Sequence, residues 1–210
     1  MLVGITQRVD KVESRNEYRD SLDQRLVDWV VNLGFLPVPI PNTMVDIGIK
    51  GENQADLDNW LKVVRINAII LSGGNDIGNV ERRDLTERYL LSWAEKNKKP
   101  VLGICRGMQI MGVYAGVSLI KVDGHVGTSH QLLTSNHNSP LPGSVNSFHN
   151  SSLEKCPDKF QVIANSKDGH IEAIKHRDLR WEGWMWHPER EAPFNEIDNI
   201  RLKRLINDEK

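Results

Sequence analysis

The run Gly103-Ile104-Cys105-Arg106-Gly107 constrains the fold more than any other stretch of this chain. It sets a cysteine between two glycines where a short apolar run, Pro100 to Ile104, meets a helical pattern. The apolar run is too short for a helix and reads as a buried parallel strand. Arg106 to Ala115 then carries Met108, Ile110, Met111 and Val113 ahead of Gly116, a C-terminal cap. A residue on such a strand-to-helix corner adopts a strained backbone, and its neighbours two positions either side must be tiny for the chain to fold back. Gly103 and Gly107 meet that demand, which is the pattern of a nucleophile elbow. The helix behind Cys105 aims free N–H groups and its positive end at the sulfur, favouring thiolate over thiol. Taken alone, the same run also fits a small buried core cysteine.

An elbow strand needs parallel neighbours, and the first half of the chain supplies candidates. Leu2 to Thr6 reads as a strand, followed by a polar loop and a helix whose Leu22, Leu26, Trp29, Val30 and Leu33 share one face before Gly34. Phe35 to Pro41 alternates proline with apolar residues, which restricts it to a sheet edge. Asp56 to Val64 reads as a helix, Ala68 to Leu71 as a strand opening into Ser72-Gly73-Gly74-Asn75-Asp76, and Arg83 to Lys98 as a charged amphipathic helix. Strands alternating with helices imply a mostly parallel sheet with right-handed crossovers. After Val122 the character turns to β: Val145, Gln161 to Ala164, Ile171 to Ile174 and Trp184 to Trp186 are short strand candidates, and Ile197 to Ile206 is a closing helix. Asp123 to Pro142, rich in Gly, Ser, Asn, His and Pro, is a candidate lid.

A chain of 210 residues suits one α/β domain spanning residues 1–210. Lys plus Arg total 27 against 28 acidic residues, so overall charge points to neither nucleic acid nor membrane as a partner. No apolar run is long enough to span a bilayer, the N-terminus runs straight into charged sequence, and the two cysteines build no disulfide framework. A cytoplasmic protein with a reduced Cys105 is expected.

A cysteine that attacks an amide needs a proton acceptor, a group that orients it, and donors for the oxyanion. Trp186-His187-Pro188-Glu189 ends an apolar run, and in extended chain His187 and Glu189 point to one face. His187 is the expected general base and Glu189 its orienting partner, the alternative being a core histidine beside tryptophans. The backbone N–H groups of Arg106, at the helix start, and of Gly74, in the loop beside the elbow strand, are the expected oxyanion donors. Ser72-Gly73-Gly74 also fits an ordinary tight turn. His125, His130 and His137 fit no standard ligand spacing and read as loop histidines, so no metal and no cofactor is expected. The six tryptophans read as core and pocket walls.

Gly-Ile-Cys-Arg-Gly-Met-Gln, the earlier Ser-Gly-Gly-Asn-Asp and the later His-Pro-Glu together resemble the class I glutamine amidotransferase superfamily. Gly4-Ile5-Thr6, Ser72 to Ile77 and Val145-Asn146-Ser147-Phe148-His149 are most similar to its stand-alone γ-glutamyl hydrolases, the peptidase C26 branch. The resemblance implies a flavodoxin-like α/β/α sandwich, a Cys105–His187–Glu189 triad and a γ-glutamyl thioester. It also implies that Gly73, Gln109, Asn146, Ser147, Phe148 and His149 contact a small-molecule γ-glutamyl substrate. Met185, Asn150 and the short Gly78-Asn79-Val80 segment depart from the branch pattern, so the leaving group stays open between an amine, a nucleotide phosphoramidate and ammonia passed to a partner synthase. A binding protein with an unused triad is the non-enzymatic alternative. For a nucleotide, Arg8, Arg15, Arg19, Arg82, Arg83 and Arg106 are candidate pyrophosphate contacts, because arginine matches phosphate with a planar fork of donors, although each taken singly fits solvated surface charge or a carboxylate partner better.

Overall fold

The structure, a computed structural model, describes residues 1–45, 55–134 and 140–207. In chain order the elements are β1 (Leu2–Thr6), β2 (Arg8–Val12), β3 (Glu17–Ser21), α1 (Gln24–Asn32), β4 (Leu36–Ile40), α2 (Ala55–Val64), β5 (Ala68–Leu71) and α3 (Glu81–Asn97). There follow β6 (Val101–Ile104), α4 (Arg106–Tyr114), β7 (Leu119–Lys121), β8 (Val126–Gln131), β9 (Leu133–Thr134), β10 (Ser144–Phe148), β11 (Ser151–Leu153), β12 (Phe160–Asn165), β13 (Ile171–His176), β14 (Trp181–Trp184) and α5 (Glu196–Asn207). Among these residues no helix is long and apolar enough to cross a membrane.

The central sheet has eight strands in the order β4-β1-β5-β6-β14-β13-β12-β9. From β4 to β14 all pairings are parallel, and beyond β14 they are antiparallel. Alternation along each strand feeds two cores. Ile5, Ile70, Leu102 and Ile104 face Leu26, Trp29 and Val30 of α1 and Leu202 of α5, whereas Ile69, Leu71 and Val101 face Leu57 and Leu61 of α2, Leu90 and Leu91 of α3, and Met108 and Met111 of α4. Helices on both faces make the α/β/α sandwich that the family resemblance implies, around the mostly parallel sheet that the strand and helix pattern implies. Trp29, Trp181, Trp184 and Trp186 are all fully buried, and each indole N–H has an acceptor: Asn199, the Lys99 carbonyl, Glu182 and Asp198 respectively.

Local sequence explains the boundaries. Asp23 caps α1 by accepting the Arg25 N–H at 3.0 Å, an interaction typically worth about 1 kcal/mol. Gly34, at φ 86°, turns the chain back towards β4. Strand β4, with Pro37 and Pro39, takes the sheet edge, where missing N–H donors leave no gap in a ladder. The segment expected as a polar loop after β1 is instead the antiparallel hairpin β2–β3, turning at Asn16 with φ 50°. Its charged, half-exposed strands carry no apolar stripe, so alternation does not reveal them. The strand expected over Trp184 to Trp186 ends at Trp184 and begins earlier, at Trp181.

Candidate active site

Cys105 sits between β6 and α4 with φ 51° and ψ −105°, a conformation that costs a non-glycine residue roughly 1–3 kcal/mol. Its N–H donates to the Trp184 carbonyl at 2.7 Å, and its carbonyl accepts the Gln109 N–H at 3.1 Å. The neighbouring strand and the first helical turn thus hold the strained residue from both sides. A β-carbon on Gly103 would stand 2.6 Å from the Gly107 carbonyl group, and one on Gly107 would stand 2.1 Å from the Leu71 carbonyl oxygen. Neither position admits a side chain. Arg106 opens the helix, so its backbone N–H belongs to the set that has no intrahelical acceptor.

Strand β14 lies parallel and adjacent to β6, which brings His187, just past its end, to the same sheet edge as Cys105. His187 Nδ1 lies 2.6 Å from Glu189 Oε1, both residues buried. A carboxylate only accepts, so Nδ1 carries the proton and Nε2 is left for the sulfur. Burial alone would lower the imidazole pKa, but hydrogen bonds with Cys105 and Glu189, reinforced by the Glu189 charge, raise it to about 9. The His187–Glu189 pairing does not arise from extended chain, as the spacing suggested. Pro188 to Arg190 form a 3-10 turn, for which proline's fixed φ is suited.

The backbone of His187 is braced by Asn146, whose Oδ1 accepts its N–H at 2.9 Å and whose Nδ2 donates to its carbonyl at 2.8 Å. Phe148 meets the imidazole edge-on at 5.9 Å between ring centroids. Gly73 packs under the ring, where any β-carbon would stand 2.7 Å from Cε1. Gly74 follows at φ 110°.

The Ser72 to Asn75 loop is held by buried charges. Arg83 Nη2 donates to the carbonyls of Ser72 and Gly73 at 2.7 and 2.9 Å, and Arg106 Nε donates to that of Asn75 at 2.9 Å. Glu87, fully buried, accepts from Arg83 and Thr6 at 3.1 and 2.8 Å and pairs with Arg106, which also pairs with Asp84. Burial lowers the pKa of Arg83 to about 10 and that of Arg106 to about 9, with the neighbouring carboxylates opposing the shift. These two arginines, expected as phosphate contacts, are therefore structural: their donors are engaged below the surface. Asn75 also clasps the β2–β3 hairpin, accepting the Val9 N–H at 2.8 Å and donating to its carbonyl at 2.9 Å. That clasp carries Arg8 against Gly74.

Other residues singled out from sequence are placed differently from expectation. Gln109 is buried and donates to the Ser151 carbonyl at 2.9 Å. Ser147 is fully buried and donates to the His125 carbonyl at 2.6 Å. His149 is buried beside His125, His130 and Glu172. His130 is not a loop residue but lies on β8, and His137 lies outside the described residues. Arg15 and Arg82 are exposed, and Arg19 pairs with Glu17 on the hairpin. Sequence reasoning passed over Arg190, whose guanidinium lies 4.5 Å from the Phe148 ring centre. With Arg8 it walls a cavity of about 60 Å³ that touches Gly73, Gly74, His187 and Glu189. Its position directly after His-Pro-Glu was the available signal.

Residues 1–189 match the family described as peptidase C26. The chain is 32% identical over 213 residues to the γ-glutamyl-CDP-amidate hydrolase of Campylobacter jejuni subsp. jejuni serotype O:2, covering 96% of each protein. It is 31% identical over 173 residues to the protein NtpR of Enterococcus hirae, covering 64% of this chain and 71% of that one. The crystal structure of a glutamine amidotransferase from Thermotoga maritima shares the fold, with a TM-score of 0.65 at 18% identity over 99% of this chain and 82% of that chain. With a family match running unbroken from the first strand to Glu189 and a relative aligned along nearly its whole length, this chain belongs to the peptidase C26 family.

Proposed function

We propose that the protein is a cysteine-dependent hydrolase that cleaves a γ-glutamyl amide bond and releases glutamate. The observation that carries this reading is the strained Cys105 at the start of α4, facing a buried His187 that Glu189 holds at 2.6 Å. Cys105 gives its thiol proton to His187 Nε2, Sγ attacks the γ-carbonyl carbon, and the electron pair displaced onto oxygen is met by the N–H groups of Gly74 and Arg106. As the carbon–nitrogen bond breaks, His187 gives its proton to the leaving nitrogen, and a thioester remains on Cys105. His187 then accepts a proton from water, the hydroxyl adds to the thioester carbon, and cleavage of the carbon–sulfur bond frees glutamate and the enzyme.

The leaving group we favour is a nucleotide phosphoramidate, as in γ-glutamyl-CDP-amidate, the substrate named for the Campylobacter relative. Hydrolysis would yield cytidine diphosphoramidate. Arg8 and Arg190 at the cavity wall support this choice, being the arginines beside His187 that are not locked into the buried cluster. The test is glutamate release by wild type and Cys105→Ala from glutamine, γ-glutamyl amines, γ-glutamyl peptides and γ-glutamyl-CDP-amidate. Release confined to wild type and greatest with the nucleotide is expected. A preferred simple amine would replace the leaving group, and release from glutamine only with a partner synthase would replace the stand-alone reading. Undiminished release by Cys105→Ala would refute the nucleophile.

A further inference from the structure

Three histidines and a glutamate that take no part in this chemistry converge where the β8–β10 ribbon meets the central sheet. His125 precedes β8, His130 lies on β8, His149 follows β10, and Glu172 lies on β13. One ligand-capable atom from each falls within 4.8 Å of all the others. His125, His149 and Glu172 are buried, and the His130 side chain is 14% exposed.

Hydrogen bonding fixes which atoms face inward. His125 Nε2 lies 2.8 Å from Asp168 Oδ2 and His149 Nδ1 lies 3.2 Å from the Ser151 carbonyl. Carboxylates and carbonyls only accept, so each of these ring nitrogens carries the proton and the other nitrogen keeps its lone pair. His125 Nδ1 and His149 Nε2 then face each other at 3.3 Å, and each lies 3.5 Å from Glu172 Oε1. His130 Nε2 completes the group at 3.9 Å from the same oxygen. Neither oxygen of the fully buried Glu172 has a hydrogen-bond partner, nor has His130 Nε2. Three imidazole nitrogens thus converge on one oxygen of a buried carboxylate, and two of them, His125 Nδ1 and His149 Nε2, have no proton to give it, an arrangement that calls for positive charge. A shared proton would bridge one pair of atoms and leave the rest unserved.

We propose that His125 Nδ1, His130 Nε2, His149 Nε2 and Glu172 bind a divalent transition-metal ion of the zinc type. In a tetrahedral zinc site with bonds of about 2.0–2.1 Å, ligand atoms stand about 3.3–3.4 Å apart, close to three of the separations here. Imidazole and carboxylate donors suit zinc and its neighbours rather than calcium or magnesium. Asp168 and the Ser151 carbonyl supply the outer hydrogen bonds that orient metal-bound histidines. A surface cleft lined by His125, His130, Ser166, Lys167 and Asp168 gives the ion a way in. With four protein ligands the site is closed, so its work is mechanical: it ties the β8–β10 ribbon, which has its own two-stranded sheet, to β13. The residue preceding His149 is Phe148, which touches His187.

The test uses the full chain, stripped with a chelator and then titrated with zinc or cobalt(II). We expect one equivalent bound per chain by elemental analysis, a visible cobalt spectrum of four-coordinate type, and a metal-dependent rise in melting temperature. His125→Ala and Glu172→Gln should lose stoichiometric uptake, and Asp168→Asn should weaken affinity about 10- to 100-fold. Should the ligand variants fail to fold, the wild-type cobalt spectrum decides alone. Wild type without stoichiometric uptake, or Glu172→Gln binding as tightly as wild type, would overturn the proposal. Neither result bears on Cys105, since no ligand belongs to its triad.

Discussion

Gly73 lies so close beneath His187 that a β-carbon there would stand 2.7 Å from Cε1 of the imidazole. The glycine is thus the floor on which the ring rests, and Asn146 fixes the His187 backbone through its N–H and its carbonyl. Ring position relative to Cys105 follows from both. Gly73→Ala must push the ring or the loop aside, and a misplacement of about 1 Å can reduce turnover on the order of 100-fold. Glutamate release should show that loss while circular dichroism and melting temperature stay near wild type.

The raised His187 pKa gives the enzyme an alkaline limit. An imidazolium is needed to protonate the leaving nitrogen, so kcat/KM should fall as pH rises through about 9. The hydrogen bond and charge of Glu189 help hold that value up, so Glu189→Gln should move the descending limb towards neutral pH. Folding stability follows the same sign. The contribution of His187 is whole below its ordinary value of 6.5 and is lost as pH rises through about 9. A pH–rate profile of both proteins checks the first statement, and urea unfolding at neutral and alkaline pH checks the second.

Glu87 joins Arg83 and Arg106 beneath the Ser72 to Asn75 loop. Removing one partner from a buried ion cluster leaves uncompensated charge and costs about 3–5 kcal/mol. Glu87→Gln should lose stability of that order in urea unfolding, with a fall in kcat as the loop carrying Gly73 and Gly74 loosens. Glu95→Gln, which breaks the surface pair with Lys159, should change little.

Burial raises the pKa of Asp198 to about 7, against the opposing Trp186 hydrogen bond and Arg201 charge. A carboxyl raised in this way stabilises the fold fully below its ordinary value of 3.8, and the contribution is lost as pH rises through about 7. Asp198→Asn cannot ionise and should be more stable than wild type near about pH 8, losing that advantage in acid. Paired denaturation curves at the two pH values decide it.

The elbow, the parallel half of the sheet and the order of its helices were legible because apolar periodicity and glycine placement are local signals. Gly103 and Gly107 flank Cys105 at the spacing that a strand-to-helix corner demands. The β2–β3 hairpin was not legible, since its strands are charged and half-exposed and Val9 is held by Asn75, 66 residues on in the loop after the neighbouring strand β5. Arg83 and Arg106 read as candidate phosphate contacts because the partners that justify their burial, Glu87, Asp84 and the loop carbonyls, are not signalled by the local sequence. Helix α3 buries Arg83, Thr86 and Glu87 along with Leu90, Leu91 and Ala94, which breaks up its apolar stripe. The histidine cluster depends on Glu172 inside a core strand and on His149 after another, a meeting that no spacing rule along the chain encodes.

Strands β6 and β14 run side by side in the same direction, so the sulfur and the imidazole issue from adjacent tips of one rigid lattice. The rim around them is furnished elsewhere, by the β2–β3 ribbon on one flank and the β8–β10 ribbon on the other, each outside the central sheet. Changes at the tip of either ribbon leave the reacting pair in register as long as Asn146 on β10 keeps its hold on the His187 backbone. Descendants of such a chain are free to change what they recognise without relearning how to break the bond.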